Sequence, residues 1–175
     1  MPEYTPSSCP YIRRQLTLFA EPADAKAIEA IRGTFNPEQR RLIDCHVTLC
    51  REDELSDLEI VIDNLCKLES RPLTIRFGKP VRFGEGKGVL IPGEGPNEEF
   101  HRLRKMALKG LTDSPRHHEP HITLIHPRNA ACTDAMFETI RSMDWPAQLE
   151  FRKIALIEQA DGGAWATLRE FAIAG

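Results

Sequence analysis

The chain has 175 residues, 41% of them hydrophobic, with a formal charge of -3, so it can bury one sizeable core and is short for two ordinary domains. Its mixed composition excludes a disordered polymer and an apolar membrane span, and its slight acidity argues against coating long nucleic acid by phosphate neutralisation. Five cysteines, an odd number without a C-x-x-C pair, read as reduced thiols; Cys45 and Cys50 would stand about 17 Å apart on one strand, beyond disulfide reach. Met1-Pro2-Glu3 lacks the basic start of a signal peptide and the apolar stretch Leu16–Ala20 is too short to be one, so a cytoplasmic protein without a membrane partner is expected.

In chain order, residues 1–10 contain three prolines and no periodicity, which predicts a flexible N-terminal arm ahead of one bilobal domain over 11–175. Leu16, Leu18 and Ala20 alternate with Gln15, Thr17 and Phe19 as in a first strand. Pro22 then opens a helix through Ile28 and Ile31 that Gly33 stops. Cys45–Arg51 reads as a strand. Ser56-Asp57-Leu58-Glu59 has the form of a capping box, and Leu58, Val61, Ile62, Leu65 and Leu68 after it form one helical stripe. Strands are predicted at Leu73–Phe83 and Gly88–Ile91, joined by the glycine-rich turn 83–88. That turn leads into a strand and not a helix, which favours a hairpin over a phosphate-binding loop.

A helix follows over Asn97–Lys109, a strand over Pro120–Ile125, and a helix from Thr133 with Met136, Phe137, Ile140 and Met143 on one face. Two strands, Leu149–Ile157 and Ala164–Ala172, flank the hairpin signal Asp161-Gly162-Gly163. After the first strand the order helix, strand, helix, strand, strand occurs twice at a nearly constant offset. This predicts an α+β fold of two pseudo-symmetric lobes, each an antiparallel sheet with helices on its outer face, and a cleft between them.

The two corresponding strands carry His46-Val47-Thr48-Leu49 and His121-Ile122-Thr123-Leu124. Side chains at i and i+2 of a strand share a face, so each strand presents an imidazole beside a hydroxyl while its apolar residues face the core. Six histidines, ten threonines and the apolar share would produce the pattern by chance about 0.06 times, and twice on the order of 0.002 times. A lone half-buried strand histidine is ordinarily structural. Two in matching places facing one cleft are not explained by strand propensity.

His117, His118, His121 and His126 invite a metal reading. However, His118-Glu119-Pro120-His121 is not H-E-x-x-H, Pro120 argues against a helix, and strand parity puts His126 on the face opposite His121, so neither metal nor cofactor is expected. Two imidazoles and two hydroxyls suffice for displacement at phosphorus: one histidine takes a proton from the attacking oxygen, the other gives one to the leaving oxygen, and the hydroxyls donate to the phosphate.

These motifs, their spacing and the duplicated element order, from about Arg14 to Phe171, resemble the two-histidine phosphoesterase superfamily, most closely its bacterial 2'-5' RNA ligase and RNA 2',3'-cyclic phosphodiesterase branch. The resemblance implies a bilobal fold and the opening of 2',3'-cyclic phosphates on an RNA end or small nucleotide. His46 would protonate the leaving O3', His121 would activate water, and Thr48 and Thr123 would hold the phosphate. Joining of RNA ends by the reverse chemistry is also implied, and a monomer is expected. Members with the RNA activity often carry arginine five positions after the second histidine, where this chain has His126; the nearest arginine, Arg128, is the candidate substitute as a phosphate or nucleotide contact. Arg13, Gln15, Thr17 and Phe19 on the first strand are further candidates to line the cleft. A nucleotide or RNA-end binding protein without turnover is the alternative.

Overall fold

A computed structural model describes residues 9–173. Among them the chain forms β1 (Ile12–Phe19), α1 (Pro22–Phe35), α2 (Pro37–Leu42), β2 (His46–Cys50), a 3-10 turn (Glu52–Glu54), α3 (Leu58–Cys66), β3 (Leu73–Arg76), β4 (Val81–Phe83), β5 (Gly88–Pro92), α4 (Glu98–Ala107), β6 (His121–Ile125), α5 (Asp134–Arg141), β7 (Gln148–Phe151), β8 (Lys153–Ala160) and β9 (Ala166–Ala172). Most of the expected N-terminal arm, residues 1–8, lies outside the described residues. No helix among the described residues is long and apolar enough to cross a membrane.

The fold is α+β. Seven strands make one antiparallel sheet in the order β4-β5-β6-β2-β1-β8-β9, and β3 and β7 form a separate ribbon. The two lobes are thus β4-β5-β6 and β2-β1-β8-β9, and they meet where β2 runs antiparallel to β6 with Val47 paired to Ile122. A pseudo-twofold axis there relates β2 to β6, β1 to β5 and β8 to β4. Phe19 pairs with His46 as Pro92 pairs with His121. The helices cross the axis, α1 packing on β6 and α4 on β2. Val47, Leu49, Ile122 and Leu124 are buried beneath them in the main core.

Two predicted strands are divided. Leu73–Phe83 is β3 and β4 in different sheets, separated at Gly78-Lys79-Pro80, where Pro80 has no N–H for a ladder. Leu149–Ile157 is likewise β7 and β8, and no turn residue marks the change of sheet at Arg152. Alternate ribbon residues Leu73, Ile75, Leu149 and Phe151 are buried, which is the pattern of a two-stranded cover over the core. The repeat is also offset from its predicted form. β5, read as the end of the first half, pairs with β6 and so begins the second, while β9 extends one lobe without a counterpart.

The helix starts follow side-chain chemistry. Asp57, not Ser56, caps α3, its carboxylate accepting the N–H of Glu59 at 3.0 Å and of Ile60 at 3.3 Å. Thr133 caps α5 by accepting the N–H of Met136 at 3.2 Å. The cysteines are all unpaired, with Cys45, Cys50 and Cys132 buried. Burial pushes the Cys45 and Cys50 thiols up to about 12, which leaves them inert packing groups.

Candidate active site

β2 and β6 share one burial pattern: His46, Thr48, His121 and Thr123 are half-buried and the residues between them are fully buried. The Val47–Ile122 pairing of antiparallel strands sets His46 across from Thr123 and His121 across from Thr48. Each imidazole therefore has one hydroxyl beside it along its own strand and another across the seam. Diagonal neighbours on such a pair stand about 7–8 Å apart, a gap that a phosphate can bridge between the two rings.

Both rings are fixed in the same way. His46 Nδ1 lies 2.7 Å from the carbonyl oxygen of Asp44, and His121 Nδ1 lies 3.1 Å from that of Glu119. A carbonyl only accepts, so each Nδ1 carries the proton and each Nε2 is left bare toward the cleft. Burial lowers the His46 pKa to about 4, with the Arg32 guanidinium and His121 acting in the same sense against the Asp44 bond. Burial also lowers His121, and Arg51 adds to it. Both imidazoles are thus neutral near pH 7.

Each strand carries a β-bulge just beyond its threonine. Leu16 pairs with Cys50 while Thr17 pairs with Thr48, leaving Leu49 extra; Val89 pairs with Ile125 while Leu90 pairs with Thr123, leaving Leu124 extra. One extra residue reverses side-chain parity. Leu49 and Cys50, and likewise Leu124 and Ile125, both turn inward, and the fifth residue after each histidine returns to the cleft. The expectation that His126 faces away from His121 is therefore corrected: His126 and its counterpart Arg51 both line the cleft, of about 170 Å³, with His46, Thr48, His121 and Thr123.

The cleft is cationic. Arg13, Arg32, Arg51 and Arg128 line it. Arg13 is paired with Glu52 at 2.7 Å, whereas Arg51 and Arg128 make no ion pair among the described residues. The sequence-predicted residues thus come together, Arg128 included. On the first strand, Arg13 and Gln15 line the cleft, Phe19 sits edge-on to His46 with ring centres 6.2 Å apart, and Thr17 is fully buried, accepting from Gln15 Nε2 at 2.9 Å.

Two buried arginines that belong to no sequence motif support the site. Arg32 on α1 donates to the Ile43 carbonyl at 2.7 Å and pairs with Glu29 at 2.8 Å, and Glu29 in turn accepts the Cys45 N–H, so the pair holds the chain leading into His46. Arg104 on α4 donates to the Leu49 carbonyl at the bulge, to Glu54 at 2.6 Å and to the Arg116 carbonyl at 2.8 Å. Both sit on the apolar stripe of their helix, beside Ile28 and Ile31 in one case and Phe100 and Leu103 in the other. An arginine at a stripe position is the signal that identifies them. His118 is also structural, its Nε2 lying 3.0 Å from the Thr48 carbonyl oxygen. Outside the cleft, His101, His117 and Glu119 are the one group among the described residues placed to share a metal ion.

A sheet that brings one His-x-Thr strand from each lobe to a pseudo-twofold seam defines the two-histidine phosphoesterase class. The chain belongs to the 2'-5' RNA ligase superfamily, whose sequence profile matches residues 20–163. Its fold is similar to that of Escherichia coli LigT in apo form, with a TM-score of 0.67 at 18% identity over 96% of this chain and 100% of that one. LigT complexed with 3'-AMP gives 0.67 at 18% identity, covering 94% of this chain and 99% of that one. A Thermus thermophilus protein gives 0.59 at 19% identity, covering 93% and 98%. No curated protein matches the sequence.

Proposed function

We propose that this chain is a phosphoesterase that opens 2',3'-cyclic phosphates on an RNA end or small nucleotide by two-histidine acid/base catalysis. The observation that carries the reading is the twofold placement of His46 and His121, each with Nδ1 anchored on the carbonyl two residues before it and Nε2 facing the same cleft. His121 takes a proton from water as the water oxygen attacks phosphorus. The P–O3' bond breaks, and His46 gives its proton to O3', leaving a 2'-phosphate. Thr48 and Thr123 donate to the non-bridging oxygens, and Arg51 and Arg128 supply positive charge.

A neutral His121 suits the base in the free cleft. His46 must gain its proton with the substrate, and a bound phosphate anion beside it favours the imidazolium form. Replacing water by the 5'-hydroxyl of a second strand gives 2'-5' ligation with the same atoms. The complexes of LigT with phosphate, ATP, NADP+ and 3'-AMP support a nucleotide or RNA end as substrate.

The test is turnover of 2',3'-cyclic mononucleotides and cyclic-phosphate-ended oligonucleotides in EDTA, with the product identified as the 2'-phosphate. His46→Ala and His121→Ala should each lose about 100-fold or more in kcat with an unchanged circular dichroism spectrum. An aryl phosphodiester, whose leaving group needs no proton, should restore His46→Ala but not His121→Ala. Wild-type protein that binds these compounds without turning them over would leave a binding protein in place of an enzyme.

A further inference from the structure

The strap between α4 and β6 does more than connect them. His117 and Glu119 point outward from it and meet His101 on α4. His117 Nε2 lies 2.7 Å and His101 Nε2 3.6 Å from Glu119 Oε1, and the two imidazoles stack with centres 5.4 Å apart. One ligand atom from each of the three residues lies within 4.8 Å of the others. Tetrahedral zinc, with bonds of about 2.0–2.1 Å, places its ligand atoms about 3.3 Å apart. Small side-chain movements reach that spacing.

The carboxylate is already oriented. Asn97 Nδ2 donates to Glu119 Oε2 at 3.1 Å and to the Gly95 carbonyl at 3.0 Å, which leaves Oε1 for the two histidines. An amide that ties down the second oxygen of a ligating carboxylate is the usual outer support of a metal site. The fourth direction is open, since the His117 side chain is 76% exposed.

We infer that His101, His117 and Glu119 form a transition-metal site of the two-histidine, one-carboxylate type, separate from the cleft, and that its occupancy acts on His121. The coupling rests on the catalytic reading above. It runs through Glu119, whose side chain takes the metal and whose carbonyl oxygen accepts from His121 Nδ1 at 3.1 Å. A metal on the carboxylate fixes the peptide that orients the imidazole. On the inner side of the strap, His118 is held on the Thr48 carbonyl, so the metal would lock a segment already pinned at one face.

Binding and coupling are read separately. EDTA-stripped full-length protein titrated with cobalt(II) should show the visible absorption of a four-coordinate ion at one equivalent, and zinc should displace it. His101→Ala and His117→Ala should each lose the absorption while keeping wild-type metal-free turnover, because neither residue touches the cleft. Absorption that survives in the His101→Ala/His117→Ala double variant would place the ion on the cleft histidines and overturn the site, as would its absence in the wild type. With the site loaded, wild-type kcat should rise about threefold or more while that of His117→Ala stays unchanged. A bound ion with kcat unaltered overturns the coupling. Because the absorption needs no substrate, failure of the phosphoesterase reading leaves the binding result standing.

Discussion

Thr48 and Thr123 differ in their supports. Thr48 offers its carbonyl to His118 at 3.0 Å while its side chain faces the cleft, so its backbone is pinned independently of its hydroxyl. Thr48→Val and Thr123→Val retain strand propensity and shape and remove one donor each. A hydrogen bond to a charged group contributes about 1.5–3 kcal/mol, so each variant is expected to lose about 10- to 100-fold in kcat/KM, measured on a cyclic mononucleotide. Loss below about threefold in both would remove the hydroxyls from the phosphate site. The His-x-Thr residues were legible because their chemistry is unusual for half-buried strand positions and occurs twice. Arg32 and Arg104 were not, since an arginine ordinarily reads as solvated; only its place among stripe residues distinguishes it.

At the scale of elements, hydrophobic periodicity reported existence better than limits. The helices α1, α3, α4 and α5 follow their apolar stripes, whereas α2 buries no residue and leaves no periodic trace. The divisions at β3/β4 and β7/β8 escaped because the change of sheet is a tertiary event: β7 alternates in burial and β8 buries Ile154 to Ile157 in succession, yet no turn residue separates them. The two bulges escaped for a related reason: an extra residue is defined only against a partner strand. Caps are local, and the reassignment from Ser56 to Asp57 is testable. Asp57→Ala should cost about 1 kcal/mol in denaturant unfolding, and Ser56→Ala should be within about 0.5 kcal/mol of wild type. Equal losses would return the cap to Ser56.

For the whole molecule, the two lobes share a seam that holds histidines against their ordinary protonation. Burial lowers both His46 and His118 to about 4. The unfolded chain, with histidines near 6.5, binds protons more readily, so their stability contribution is complete above about pH 6.5 and is lost as pH falls toward 4. At pH 5 the 8%-exposed His118 should cost on the order of 2 kcal/mol, and His46, open to the cleft, less. Tm measured between pH 7 and pH 5 should fall accordingly, and a flat profile would mean that both rings take up protons in the folded state.

The bulge-aimed pair Arg51 and His126 has a consequence for polarity. Two identical half-sites would accept a phosphodiester in either of two orientations, with acid and base exchanging duties. A guanidinium at this position on the β2 side and an imidazole at the matching position on the β6 side, where Arg128 brings the charge two residues further on, break that degeneracy and give the cleft a front and a back. The exchange Arg51→His with His126→Arg should therefore reverse the bound orientation, so that the aryl substrate restores His121→Ala in place of His46→Ala.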